Sequence, residues 1–289
     1  MSDRPIFEIY QAPRWADLKA LSLQLRFPYA FRGQPSADYK LSTHMERAAR
    51  RGGLPGNYIA AQESWMIHQF QRRAHHFVSD LPQPEDLLDW LALIQHHGGP
   101  TRLLDFTHSF WVSLFFATEQ ADADAAVWAI DLVELANRAA HFAGDASLPS
   151  YDRREVLDRH GRHAERILRE PPEQAFVLDV EPLRMNPRMA SQQGLFLLPT
   201  RVDYSFEANL LGTFGLNAEA IGRSEVLYWD QDQPFQPPII AKLIIPLHWR
   251  GPILHDLERM NVTSVSLFGG VDGLARSLAT RLHLDDLSA

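Results

Sequence analysis

The 289-residue sequence contains no cysteine. That removes disulfides, thiolate metal cages and a cysteine nucleophile, and it fits a reducing compartment. No uninterrupted apolar run approaches the ~20 residues that span a bilayer, and the opening MSDRPIFEIYQ lacks a charged segment followed by an apolar one. A cytoplasmic protein without membrane association is therefore expected. Excess positive charge is missing too: a formal charge of -8 argues against a surface built throughout for phosphate backbones, although a local basic groove would survive that average. Phosphate loops of the Gly-x-x-x-x-Gly-Lys-Ser/Thr type, Gly-x-Ser-x-Gly elbows and His-Glu-x-x-His helices are absent as well. Thirteen histidines are present, but the adjacent pairs His75-His76 and His96-His97 point about 100° apart on a helix. Neither pair can bind a metal as a pair, and no metal is expected.

What is present is an ordinary core-forming balance, 45% apolar and 22% charged. Apolar spacing predicts helices over 15–25, 42–52, 57–78 and 82–100, the second with a serine cap, basic last turns and a glycine stop, and the last stopping at Gly98-Gly99-Pro100. In the third, Ile59, Met66, Phe70 and Phe77 should share a face. One strand, around YAFRG, interrupts this helical part. The remainder alternates: strands are expected at 101–106, 125–133, 174–182, 194–199 and 238–247, and helices at 109–120, 154–170 and 271–282. The stretch 228–238 is expected to be an exposed excursion. No repeat, low-complexity tract or linker divides the chain. The expectation is a single α+β domain over 1–289, helix-rich in 1–100 and strand-rich in 101–289, with the helical part packed on a mixed or antiparallel sheet.

Two stretches concentrate chemistry. Arg32 sits between an aromatic and a glycine in FRGQ. Its planar donors suit phosphate or carboxylate, and Gly33 would let backbone or ligand approach; pairing with an acid of the fold is the structural alternative. QHHGGPTRLLDFTHSFWVSLFFATE (95–119) then gathers His97, Thr101, Arg102, Asp105 and Thr107 around a turn, directly before an aromatic helix that must be core. His97 can serve as an acid/base or interact with the end of its helix. Asp105 can act in a site, pair with Arg102 or cap the following helix.

These blocks, with RMASQQGLFLLP (Arg188, Gln192, Gly194, Phe196) and the closing LFGGVDGLARSL, resemble the FRG domain family. Gly99 replaces a more usual apolar residue and Phe106 a common tryptophan. The order of motifs is also similar to the arginine–serine–glutamate branch of ADP-ribosyltransferases. That resemblance implies a cleft in which Arg32, with Gly33 and Gln34, holds the pyrophosphate of NAD as substrate. Thr101 or Thr107 would point inward from the second strand, with Arg102 beside it, and Gln192 and Gln193 would lie on the third. Cleaving the N-glycosidic bond needs a carboxylate near the developing positive charge. Gln192-Gln193-Gly194 stands where that branch has Glu-x-Glu, so the acid must come from elsewhere: Asp105, or Glu225 in RSEVLYW. The implied function is an NAD-consuming transferase or glycohydrolase acting as a toxin or anti-phage effector, with a protein or nucleic-acid acceptor and an antitoxin or immunity partner. A non-catalytic nucleotide or nucleic-acid sensor is the alternative. A nuclease comes third, disfavoured by the metal inventory.

Overall fold

The computed structural model of the chain describes residues 4–25, 28–143, 153–217, 222 and 224–284. Eight strands form one mixed sheet: β1 (Phe7–Gln11), β2 (Tyr29–Gln34), β3 (Leu104–Thr107), β4 (Ala125–Asp131), β5 (Val177–Val180), β6 (Gly194–Pro199), β7 (Val226–Tyr228) and β8 (Ile240–Ile245). Their order is β5-β6-β3-β2-β4-β8-β1-β7. β1 runs parallel to both β8 and β7; the other neighbours are antiparallel. Helices cover both faces, as a mixed sheet with apolar residues on each side requires. They are α1 (Trp15–Gln24), α2 (His44–Arg51), α3 (Gly56–Ala74), α4 (Leu87–His96), α5 (Phe110–Thr118), α6 (Leu132–Ala143), α7 (Arg153–Arg169), α8 (Pro187–Ser191), α9 (Phe206–Thr213), α10 (Arg250–Arg259), α11 (Ser264–Phe268) and α12 (Gly270–Leu284). None of the helices is long and apolar enough to cross a membrane among the described residues.

Period-two alternation along the strands sorts the core into layers. Phe31, Val127, Ala129 and Leu243 pack under α1, α5 and α10, through Leu18, Leu21, Leu114, Phe115, Ile253 and Leu257. Their neighbours Ala30, Trp128, Ile130, Leu104 and Leu195 face the other way, onto α6 and α9. Phe196, Leu198, Leu178 and Val180 pack with α3, α4, α6 and α7 in a third cluster. The aromatic helix is core as its composition requires: Phe110, Leu114 and Phe115 are buried, with Trp111 partly so. Leu114 is fully enclosed. Leu114→Ala should therefore cost roughly 2–5 kcal/mol in a denaturant titration; an unchanged midpoint would contradict the packing.

Several local expectations change. Helix α2 is capped by Thr43, whose hydroxyl accepts from Glu46 N, one residue beyond the serine. Helix α3 ends at Ala74, so Phe77 falls outside it and is 86% exposed instead of sharing the face of Ile59. The 228–238 stretch is exposed at 228, 231–234 and 236 as expected, but it is anchored within: Trp229 is buried, and Phe235 packs edge-on against both Tyr10 and Trp229. Both parts of the chain are mixed, with β1 and β2 before residue 100 and helices interleaved throughout the rest.

Candidate functional site

β2 pairs with β4 over six residues but with β3 only at Phe31↔Thr107. Beyond that pair the register ends, and a cleft of about 380 Å³ opens there, lined from β2, β3, β6, α4, α5 and α8. Its wall includes Arg32, Gln95, Asp105, Glu119, Arg188 and Arg276. The volume falls in the range of small-molecule sites.

Arg32 spans the opening. Its Nη1 donates to the Asp105 carbonyl at 2.6 Å and lies 3.9 Å from the Asp105 carboxylate, while its Nε is buried without a partner. Burial pushes the guanidinium below the usual arginine value, opposed by Asp105; it remains charged. Across the cleft, Arg188 follows Asn186, whose side chain caps α8, and Pro187 at the first helical position. Its guanidinium stacks 4.5 Å from the Phe268 ring and makes no side-chain hydrogen bond or ion pair among the described residues. Burial lowers this arginine too, opposed by Asp105 and reinforced by Arg276.

The two acids of the cleft differ. Glu119 is buried and held by Arg276 through Nε (2.7 Å) and Nη2, with Ser264 donating to Oε1 at 2.8 Å. That carboxylate is saturated. Asp105 is 66% exposed and accepts one side-chain bond, from Gln95 Nε2 at 2.8 Å. The Thr101 hydroxyl donates to Gln95 Oε1, fixing which end of the amide faces Asp105.

The structure thus separates the residues the sequence had grouped. Arg32, Asp105, Thr107 and Gln192 line the cleft. Gly33 lines it as well, but a Cβ there would stand 1.9 Å from Ser113 O, so its bareness admits α5 onto β2 and not a ligand. Gln34 is buried, accepting from Trp128 Nε1 and donating to Lys40 O. Thr101 is buried behind Gln95. Arg102 is a scaffold residue, bonded to Glu63 in a pair with side chains 6% and 3% exposed. Asp105 therefore neither pairs with Arg102 nor caps a helix, since Ser109 caps α5. Thr107 donates to Gln192 O and accepts from Ser109 N, a structural clasp. Gln192 is tied to Leu267 O, and Gln193, at φ 48, turns α8 into β6 with its side chain outside the lining. His97 ends α4 outside the lining; it is His96 that faces the cleft, with its imidazole pushed down by burial, His97 and Arg188. Glu225 is exposed beside β7, the far edge of the sheet from β3. No group of three or more His, Asp or Glu that could hold a metal occurs among the described residues.

Residues 28–126 match the family model of the FRG domain. The chain carries an FRG domain. No curated protein and no solved structure gives a significant match. The FRG match contains Arg32, Gln95, Thr101, Arg102, Asp105 and Glu119, and with them one side of the cleft. The facing side, with Arg188, Phe268 and Arg276, lies outside the matched residues. Residue type could have singled out these last three, since Arg188 and Arg276 stood in quoted motifs; what the sequence does not show is that α12 folds back to the same opening.

Proposed function

We propose that this FRG-domain protein binds a nucleotide-like anion between Arg32 and Arg188 and consumes NAD there. The observation that carries the reading is the state of these two guanidiniums: both line one cleft, Arg32 with an unpartnered Nε and Arg188 with no hydrogen-bonded acceptor among the described residues. Arginine donors left open in a partly enclosed site suit a diphosphate, which offers several oxygens at once. Asp105 is the cleft carboxylate not committed to an ion pair at hydrogen-bonding distance, so it is the group placed to stabilise positive charge at C1′ as the bond to nicotinamide breaks and its electron pair leaves with the base. The oxygen of water or of an acceptor hydroxyl then bonds to C1′ and gives up its proton to solvent. The effector role implied by the family's resemblance to transferases rests on this activity.

Incubation with NAD should release free nicotinamide. In parallel, Arg32→Lys should bind ADP at least about tenfold more weakly than the parent, because an ammonium cannot reproduce two-point recognition. Equal dissociation constants at matched stability would remove Arg32 from the ligand. Binding without cleavage is the second reading, favoured by the amides at Gln192 and Gln193; ADP binding with no nicotinamide release would select it.

A further inference from the structure

Outside the cleft, α2 carries a cationic row. Arg47 and Arg51 fall at i and i+4, hence on one side of the helix and roughly 6 Å apart at 1.5 Å per residue; His44, three residues before Arg47 on the same side, is held toward its neutral form by burial and by these two arginines, so the charge of the row is theirs. The remaining arginine, Arg50, is paired with Glu46 at 3.0 Å. Arg47 and Arg51 form no ion pair among the described residues; Arg47 donates to the Ser42 carbonyl. Both arginines are exposed.

The row begins at the cleft. Met45 N donates to Thr101 O at 3.0 Å, Thr101 bonds Gln95, and Gln95 bonds Asp105. The first turn of α2 is thereby fixed beside the Asp105 rim. Arg47 and His44 both feel the Asp105 charge, and Arg51 opposes protonation of His44. Helix α3 packs on α2 through Met45, Ala49 and Ile59. It presents Tyr58 and Trp65, seven residues apart on one side and more than half exposed.

We propose that this flank docks a single-stranded nucleic acid, bringing it to the Asp105 side of the cleft as the second ligand. Unpaired cations on one helix side match a phosphate backbone, and in a chain of net charge -8 they form a local exception. Exposed aromatic rings on the adjoining helix suit unpaired bases, which stack where duplex bases cannot. The proposal deepens the reading of the cleft as a nucleotide site but engages different residues.

Arg51→Glu separates the two. Arg51 is exposed and outside the cleft lining, so the fold and ADP affinity should not change. Binding of a fluorescein-labelled single-stranded oligonucleotide, measured by anisotropy as DNA and as RNA, should weaken about tenfold, with the salt slope reduced by about 0.7 for the lost phosphate contact. Trp65→Ala should weaken the oligonucleotide but not inorganic polyphosphate. The docking surface is overturned if the parent fails to bind the oligonucleotide, if Arg51→Glu leaves binding unchanged or lowers ADP affinity equally, or if polyphosphate follows the same Trp65 dependence. ADP binding lost from the parent with oligonucleotide binding kept would instead overturn the nucleotide reading of the cleft.

Discussion

Asp105→Asn is expected to fold normally and to release nicotinamide at least about a hundredfold more slowly, a loss of about 2.7 kcal/mol of transition-state stabilisation. The carboxylate is 66% exposed, and its one side-chain hydrogen bond, from Gln95 Nε2, can be accepted equally by an asparagine oxygen. Its backbone carbonyl, which receives Arg32, is untouched. Stability therefore has little to lose. Removing a negative charge that faces Arg32, Arg47 and Arg188 should hold or raise affinity for ADP. Slower turnover with ADP binding maintained would place Asp105 in the chemistry. A variant that melts early yet keeps its specific activity would return it to the scaffold, and a parent without turnover would leave the cleft as a binding site.

Gly33→Ala should be the most damaging change to the fold. The added carbon would lie 1.9 Å from Ser113 O, 2.6 Å from Ala117 N and 2.9 Å from the Ser113 carbonyl carbon. All three are main-chain atoms of α5, which cannot rotate away as a side-chain tip can. Helix α5 would have to lift from β2, and it holds Leu114 and Phe115 at the centre of the largest core cluster. A loss of more than about 3 kcal/mol is expected, visible as a large fall in the denaturation midpoint or as insoluble protein. If the glycine instead served ligand approach, the variant would keep its midpoint and lose ADP binding, an outcome easily told apart.

The FRG blocks were legible because they are local. Arg32, Asp105 and the core helix 109–120 lie in contiguous motifs whose spacing carries their structural roles, and the expected sheet, mixed or antiparallel, follows from the strand periodicities. Hidden features depend on distant pairing. β1 is short, and it becomes a strand by lying alongside β7 and β8, each more than 200 residues further along the chain. Arg102 read as a site residue because its partner, Glu63, sits on the buried side of a helix that shows no other sign of needing a cation. His97 was singled out in the sequence because it shares a motif with Asp105; which of two neighbouring imidazoles faces inward is set by the rotation of α4 against the sheet. The saturated Glu119 could not be recognised until Arg276 and Ser264 arrived from the end of the chain.

The lone Phe31↔Thr107 pair makes the sheet two leaves joined at a seam: β5, β6 and β3 on one side, β2 and the remaining four strands on the other. Arg32 belongs to the larger leaf, and Arg188 is carried on α8 directly before β6 of the smaller one. An anion gripped by both guanidiniums would act as a rivet across the seam. Its occupancy would then add to the cohesion of the whole sheet by mass action, so that ligand concentration sets how firmly the two leaves are fastened.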